Sequence, residues 1–375
     1  MSWSIKLFRV KGIDIKVHLT FVLILIWAAY RWSGSTGAGM QGALFGVAAT
    51  LLLFAAVTLH ELGHSLTALK YGVKVRDITL MPLGGLAQME EMPEKPKQEL
   101  SIAIAGPLVN FAIAALLFGV AFLLRARALV TPSELYRSLG QASWMGMLTY
   151  LTTANLALGL FNLIPAFPMD GGRVLRALLA MRLDYHKATR IAVAVGQGLA
   201  FLVGLWGFAS GSWTLVLIAI LVWMGAGQEG KQVEIKGVLR EMKVSQAMTR
   251  QPQTLWANDP LSKAVELTLS TPQSDFPVME AGNGKLVGVL TEDALLKGLE
   301  AYGATALVSQ VMTKFTTASP DDPLYRAQQQ MAVSRARAMP VVEKSGRLVG
   351  LLTADDINEA YRLLSISPKL ASAVG

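Results

Sequence analysis

The sequence His60-Glu61-Leu62-Gly63-His64 places two histidines and a glutamate in an HExxH motif. On a helix, His60 and His64 lie one turn apart on the same face, a spacing that can present two imidazoles to one Zn²⁺. Glu61 lies beside them and is placed to act as a general base on water. The motif therefore predicts a metal hydrolase. The alternative is that Glu61 pairs with a lysine while the two histidines cap a helix end.

The element that positions this motif is predicted to be a membrane-spanning helix. Residues 42–59, directly before His60, carry no charge and are long enough to cross the core of a bilayer. Ionisable groups at membrane depth are expensive and are usually retained for function. The sequence thus favours a hydrolase that is built into a membrane.

Asp170 is the predicted third ligand, because a catalytic zinc takes three protein ligands and keeps one position open. It follows Pro165 and Pro168, which break a helix and can aim the carboxylate inward. Gly171 and Gly172 come next and allow close approach. A role for Asp170 as the N-cap of the following helix is compatible with metal ligation. The chain has no cysteine, so a thiolate site is excluded.

The composition is that of an integral membrane protein, with 53% hydrophobic and 16% charged residues. Lysine and arginine concentrate in alternate loops, a positive-inside pattern that argues against nucleic acid as a partner despite the net charge of +8. We expect a multi-pass protein of the cell membrane with a cytoplasmic N-terminus and no cleavable signal peptide. Six transmembrane helices are predicted, at about residues 17–33, 42–69, 100–124, 143–165, 190–209 and 212–227.

An internal repeat of roughly 63 residues follows the apolar part of the chain. Val244–Thr249 recurs as Val308–Thr313, and Leu286–Thr291 returns as Leu348–Thr353. Each copy has the pattern of helix, strand, glycine turn, strand and helix, which predicts a soluble α/β pair with one shared core. The predicted boundaries are 1–227 for the membrane domain, 228–240 for a linker, and 241–302 and 303–367 for the two copies.

The HELGH motif and the segment NLIPAFPMDGGR, residues 162–173, resemble the site-2 protease family of intramembrane zinc metalloproteases. The resemblance covers about residues 1–227. It implies one catalytic zinc ion per chain and assigns both its ligands and the catalytic base. The ligands are His60, His64 and Asp170, and the base is Glu61. It also implies that the substrate is another membrane protein.

Other residues match parts of the family that are proposed to contact substrate. Asn162 matches an asparagine thought to engage the substrate backbone. Asn110 closes a Gly-Pro-x-x-Asn element whose small residues also allow close helix packing. Gly84 and Gly85 lie in Met81–Met89, which resembles a re-entrant hairpin whose edge receives substrate as an extended strand. An ordinary glycine-rich turn at the membrane surface is the alternative.

The repeat resembles tandem CBS domains, small modules that bind adenosine nucleotides in many proteins. The ribose-contact pattern of that family is a threonine followed three residues later by an aspartate, which the second copy keeps as Thr353 and Asp356. The first copy departs from it, because Ala294 stands three residues after Thr291. Two roles are left open, which are nucleotide binding and a structural module that joins chains into a homo-oligomer.

These patterns predict a polytopic α-helical membrane protein of about six transmembrane helices, followed by a soluble α/β tandem CBS module in the cytoplasm. The predicted function is that of a zinc-dependent intramembrane endopeptidase that cuts near the cytoplasmic face and is regulated by the CBS pair. Two other classes are kept as alternatives, a membrane transporter or channel regulated by CBS domains and a non-catalytic scaffold that binds membrane proteins.

Overall fold

The computed structural model describes residues 3–35, 39–82, 84–89, 93–124 and 142–366. The chain divides into two compact units, Met1–Lys231 and Gln232–Gly375. Each unit has hydrophobic clusters of its own.

A four-stranded sheet belongs to the N-terminal unit, in the order β1-β2-β3-β4. Its strands are β1 Ser4–Val10, β2 Ile13–His18, β3 Val75–Met81 and β4 Gly84–Met89. β2 and β3 pair in parallel, whereas the two outer pairs are antiparallel. β1 and β4 are therefore edge strands. Fully buried Ile13, Ile15 and Ile78 pack in one cluster with Leu62 and Ile102 of the helices, which places the sheet against the HExxH segment.

The helices of the N-terminal unit include those that carry the candidate site. In the described part of the chain they are α1 Phe21–Ser35, α2 Gly39–Lys70, α3 Pro96–Leu123, α4 Trp144–Asn162, α5 Asp170–Ala180, α6 Tyr185–Ala209 and α7 Trp213–Glu241, of which α7 continues past Lys231 into the second unit. Among the described residues, four helices, α2, α3, α6 and α7, are long and apolar enough to cross a membrane. Helix α1 is a shorter apolar helix. The predicted apolar helical domain is confirmed, and the count of six spans stays a prediction.

Residues 228–240, predicted as a linker, lie within helix α7. The segment contains no proline, so nothing in it interrupts the backbone hydrogen bonds of the helix. Leu239 near its end is fully buried in the core of the C-terminal unit, and Ile235 and Val238 pack against the same cluster. These residues therefore contribute to a hydrophobic core.

The C-terminal unit contains two copies of the predicted helix-strand-strand-helix arrangement. The first copy comprises α8 Val244–Ala247, β5 Thr249–Arg250, β6 Leu255–Trp256, α9 Leu261–Ser270, β7 Phe276–Met279, β8 Leu286–Leu290 and α10 Glu292–Tyr302. The second comprises α11 Val308–Val311, α12 Leu324–Ser334, β9 Ala338–Val342, β10 Leu348–Thr353 and α13 Ala354–Ile366. The three-stranded sheets have the orders β6-β7-β8 and β5-β10-β9.

The two copies exchange equivalent contacts. Strand β5 of the first copy pairs with β10 of the second. A Cβ atom at Gly350 would lie 2.5 Å from the sulfur of Met248, and one at Gly288 would lie 2.6 Å from the sulfur of Met312. These glycines and methionines occupy equivalent positions of the repeat, so each copy packs a methionine on a glycine of the other. Each copy therefore contributes a side chain to the packing of the other.

Candidate metal centre

Three side chains converge where helix α5 begins beside helix α2. His64 Nε2 lies 3.1 Å from His60 Nε2 and 3.1 Å from Asp170 Oδ2. His60 Nε2 lies 3.3 Å from the same carboxylate oxygen. Both histidines are buried, and the Asp170 side chain is 13% exposed. The structure thus brings together two residues of one helix turn and a third residue about a hundred positions later.

The geometry of these atoms fits a tetrahedral cation. Ligand atoms at about 2.0–2.1 Å from a tetrahedral Zn²⁺ lie about 3.3–3.4 Å from one another, close to the separations seen here. The Nδ1–H of His64 donates to the carbonyl oxygen of Ile102 at 2.7 Å, which leaves the Nε2 lone pair free for a ligand. Two imidazole lone pairs and a carboxylate oxygen that face one another repel unless a cation lies among them. His60, His64 and Asp170 could therefore hold a metal ion.

Gly106 of helix α3 makes room for the His64 ring. A Cβ atom at this position would overlap the Nε2, Cε1 and Cδ2 atoms of His64. Gly63, beside His64, has the same function towards α3, because its Cβ would lie 2.9 Å from the carbonyl oxygen of Ala105. The small residues of the Gly-Pro-x-x-Asn element therefore let α2 and α3 approach closely enough for Ile102 to orient His64.

Asp170 owes its position to a tightly folded connection between α4 and α5. Helix α5 begins at Asp170 itself, with Met169 in the N-cap position. A Cβ at Gly171 would overlap the backbone of Leu163 and Ile164, and one at Gly172 would lie 2.6 Å from the amide nitrogen of Phe167. The two glycines thus let the preceding loop fold back over the first turn of the helix. The carboxylate then faces α2.

Glu61 lies on helix α2 beneath strand β4. A Cβ atom at Gly85 would lie 2.7 Å from Cγ of Glu61 and 3.3 Å from Cγ1 of Val57. The hairpin of β3 and β4 therefore passes directly over the HExxH motif, where only glycine leaves room for the glutamate. Because β4 is an edge strand, its outer backbone groups face away from β3.

The other predicted substrate residues are two asparagines on helices and a glycine on a strand. Asn110 is buried on α3, one turn beyond Gly106, and its Oδ1 has no hydrogen-bond partner in the described part of the chain. Asn162 is the last residue of α4 and is half-buried. Gly84, at the start of β4, has φ +140° and open space at its Cβ position. Their roles stay predictions.

Two protein-family models match this sequence. The model of peptidase family M50 matches residues 48–205, and that of the CBS domain matches residues 244–301 and 308–363. The chain is 35% identical to the zinc metalloprotease MJ0392 of Methanocaldococcus jannaschii over 370 residues, which is 99% of each chain. The chain belongs to peptidase family M50. The predicted family, the enzyme class and the tandem CBS domains are thereby confirmed.

Solved structures resemble the two parts of this M50 protease separately. The site-2 protease from Methanocaldococcus jannaschii is 41% identical, covering 61% of this chain and 95% of its own, with a TM-score of 0.42. The CBS domain pair of protein MJ0100, in complex with 5′-methylthioadenosine and S-adenosyl-L-methionine, is 25% identical. It covers 32% of this chain and 96% of its own, with a TM-score of 0.30.

Thr353 and Asp356 of the second CBS copy bond to each other at the start of helix α13. The backbone amide and the hydroxyl of Thr353 each donate to Asp356 Oδ2 at 2.8 Å. The Asp356 amide donates to Thr353 Oγ1 at 3.1 Å. This reciprocal set is a capping box, which stabilises the helix N-terminus. In the first copy, Thr291 caps α10 by accepting from the amide of Ala294.

One buried charged cluster, centred on Arg176, was not predicted from the sequence. Arg176 is 1% exposed and lies between Glu99 of α3 and Glu229 of α7. The signal available in the sequence was a carboxylate, Glu99, at the start of an apolar helix. A carboxylate that is buried there needs a cationic partner.

Proposed function

We propose that this M50 protease is a zinc-dependent endopeptidase that cuts transmembrane segments of other membrane proteins near the cytoplasmic face. The observation that carries the proposal is the convergence of His60, His64 and Asp170 within hydrogen-bond distances of one another, beside Glu61. Strand β4, which passes over Glu61 at Gly85, supplies the edge on which a substrate can be held.

His60, His64 and Asp170 are the residues that would hold Zn²⁺. A zinc ion bound there supplies a Lewis acid that activates water and polarises the peptide carbonyl. Ile102 keeps His64 in the tautomer whose Nε2 can ligate, through the hydrogen bond from Nδ1. The carboxylate of Asp170 offsets the positive charge of the ion.

Glu61 is the proposed general base and acid. Its carboxylate takes a proton from the attacking water as the water oxygen bonds to the carbonyl carbon of the scissile peptide. The carbon–nitrogen bond then breaks, and Glu61 passes the proton to the leaving amine. No net proton is gained or lost by the enzyme in the cycle.

A substrate helix must unwind before this chemistry, because helical hydrogen bonds bury its amides. The free edge of β4 offers backbone N–H and C=O groups that an extended peptide can pair with. Gly84 and Gly85 keep side chains away from this approach to Glu61. Asn110 and Asn162 are proposed to form hydrogen bonds with backbone groups of the unwound segment. The Oδ1 atom of Asn110, which has no partner among the described residues, could accept one of these bonds.

The cytoplasmic position of the cut rests on the distribution of basic residues. Lysine and arginine concentrate before α1, between α2 and α3, and from α5 to the start of α6. The positive-inside rule then places the C-terminal end of α2, with the HExxH motif, on the cytoplasmic side of the cell membrane. The CBS pair is proposed to lie in the cytoplasm because six spans return the chain to the side of its N-terminus.

The cut position is tested with two matched single-span substrates in detergent. One carries Gly-Pro near the cytoplasmic end of its span, and the other carries Ala-Leu there. We expect fragments with new termini near that end, and cleavage about tenfold faster with Gly-Pro, because these residues lower the cost of unwinding by more than about 1 kcal/mol. Mass spectrometry maps the termini. Equal rates, or cuts only in loops outside the span, would contradict the proposal.

We infer that the CBS pair binds an adenosine nucleotide and thereby regulates the protease. A cavity of about 400 Å³ lies between the copies, and its lining includes the basic residues Lys314, Arg335 and Arg337 together with Thr291 and Thr313. One carboxylate, Asp293, also lines it and lies 3.8 Å from Arg337 Nη1, which leaves Lys314 and Arg335 as the cations without an acidic partner among the lining residues. The basic groups suit a phosphate, and the hydroxyls suit a ribose. The alternative site at Thr353 and Asp356 would require their mutual hydrogen bonds to be shared with the ligand.

Calorimetric titration of the full-length protein with AMP and ATP tests this inference. We expect Lys314→Met to weaken binding roughly tenfold, because it removes one charge-assisted bond to phosphate. Lys344→Met, at an exposed turn of the second copy, is the matched control and should bind as wild type. Unchanged binding in Lys314→Met with loss in Thr353→Val would place the nucleotide at Thr353 and Asp356 instead of in the cavity. Failure of both nucleotides to bind would favour the structural, dimerising role.

Membership of the M50 family argues against the transporter and scaffold alternatives. The buried imidazoles and carboxylate also argue against a scaffold, because burying such groups costs free energy unless they bind a metal or another partner.

A further inference from the structure

Arg176 is a buried cation two turns after Asp170 on the same short helix. It is 1% exposed, and its partner Glu99 is fully buried. The Nε and Nη2 atoms of Arg176 lie 2.8 and 2.5 Å from Glu99 Oε1. A buried ion pair with such contacts is costly to form and strongly destabilising to break. It therefore holds α5 against α3.

The same guanidinium reaches a second carboxylate. Its Nη1 donates to Glu229 Oε1 of helix α7 at 2.8 Å, and the Glu229 side chain is 24% exposed. Arg176 thus joins three helices, α3, α5 and α7, through one planar group. Lysine could not reproduce this arrangement, because an ammonium lacks the fixed fork that engages two carboxylates at once.

The guanidinium also contacts the loop that precedes Asp170. Its carbon lies 4.9 Å from the centre of the Phe167 ring and 5.1 Å from that of Tyr185. Phe167 is fully buried, and it stands three residues before Asp170 in the loop that folds over Gly172. Contacts of this kind between a cation and aromatic faces fix the ring when both groups are shielded from water.

We propose that Arg176 is a positioning residue for the metal ligand Asp170. It anchors the helix that begins at Asp170 and the Phe167 ring before it, so that the carboxylate stays directed at His60 and His64. The proposal rests on the ligand role of Asp170 proposed above. Groups that orient a ligand in this way typically change metal affinity by about 10–100-fold when they are altered.

Binding of Co²⁺ to the metal-stripped full-length protein in detergent tests the proposal, because its visible absorption reports ligand geometry. Arg176→Lys keeps the charge that balances Glu99, and Glu229→Gln removes only the partly exposed carboxylate. We expect both variants to bind Co²⁺ more weakly, by at least about tenfold for Arg176→Lys, with a shifted absorption band and unchanged helical content. Lys16→Met, which breaks the partly buried pair with Asp77 in the sheet, should behave as wild type.

Wild-type Co²⁺ affinity and spectrum in both variants would overturn the positioning role. Weaker binding that appears only with loss of helical content would do so as well, since the network would then be merely structural. The variant Asp170→Asn distinguishes failure of the positioning role of Arg176 from failure of the proposed metal site. If Asp170→Asn abolishes Co²⁺ binding and Arg176→Lys does not weaken it, only the positioning role fails. If Asp170→Asn binds as wild type, the ligand assignment itself is wrong.

Discussion

Glu61→Gln is expected to lower the rate of peptide cleavage by about 10²–10⁴-fold while the zinc content stays at that of the wild type. The carboxamide has nearly the shape of the carboxylate, so Gly85 and strand β4 keep their place over it. It cannot accept the proton of the attacking water. Single-turnover cleavage of the Gly-Pro substrate, with metal analysis of the same sample, measures both quantities.

The matched control is Glu266→Gln, at an exposed carboxylate on helix α9 of the first CBS copy. It should cleave at the wild-type rate. Cleavage by Glu61→Gln within threefold of the wild type would remove Glu61 from the mechanism. Loss of zinc in the variant would instead make Glu61 part of the metal site.

Gly106→Ala is expected to lower zinc affinity by roughly 100-fold or more, with a matching loss of cleavage. The added methyl group would occupy the space of the His64 ring, including its Nε2 atom. The ring must then leave the carbonyl of Ile102, which holds its tautomer at 2.7 Å, or the two helices must separate. Either change withdraws a ligand from His60 and Asp170. Titration of the metal-stripped protein with zinc against a chelator measures the affinity.

Gly119→Ala on the same helix is the control for this substitution. Its Cβ would meet nothing within 4 Å, so it adds the same methyl group to α3 without touching the site. Because alanine favours a helix over glycine by about 1 kcal/mol, this variant should be at least as stable as the wild type and bind zinc equally well. Equal zinc affinity in both variants would mean that the fit of His64 against α3 does not determine metal binding.

The three side chains that converge as a candidate metal centre were predicted together from the sequence, because the prediction rests on local geometry and on a specific motif. The spacing of His60 and His64 places them on one helix face whatever surrounds the helix. Asp170 was predicted from the prolines and glycines around it, and the structure shows those glycines in close contact with the preceding loop. The two CBS copies were also predicted from the sequence, because the same residue pattern occurs twice in it.

Residues 228–240, predicted as a linker, are helical in the structure. Their polar composition favoured a linker, whereas the structure continues α7 through them and buries Leu239 in the C-terminal core. Ile235, Val238 and Leu239 have the spacing of one helix face. This face becomes buried only because the core of the C-terminal unit packs against it, which the segment's own sequence does not show.

By itself, the sequence determined which chemistry the chain can carry: an HExxH pair, a distant carboxylate, apolar helices and a repeated α/β module. The tertiary structure decided how that chemistry is arranged. Gly106 beneath His64, Gly85 over Glu61 and Arg176 between two glutamates are contacts between segments that are far apart in the chain. Nothing in the sequence near Arg176 distinguishes it from Arg173 or Arg182. Contacts of this kind depend on how helices and strands pack, which local propensity does not specify.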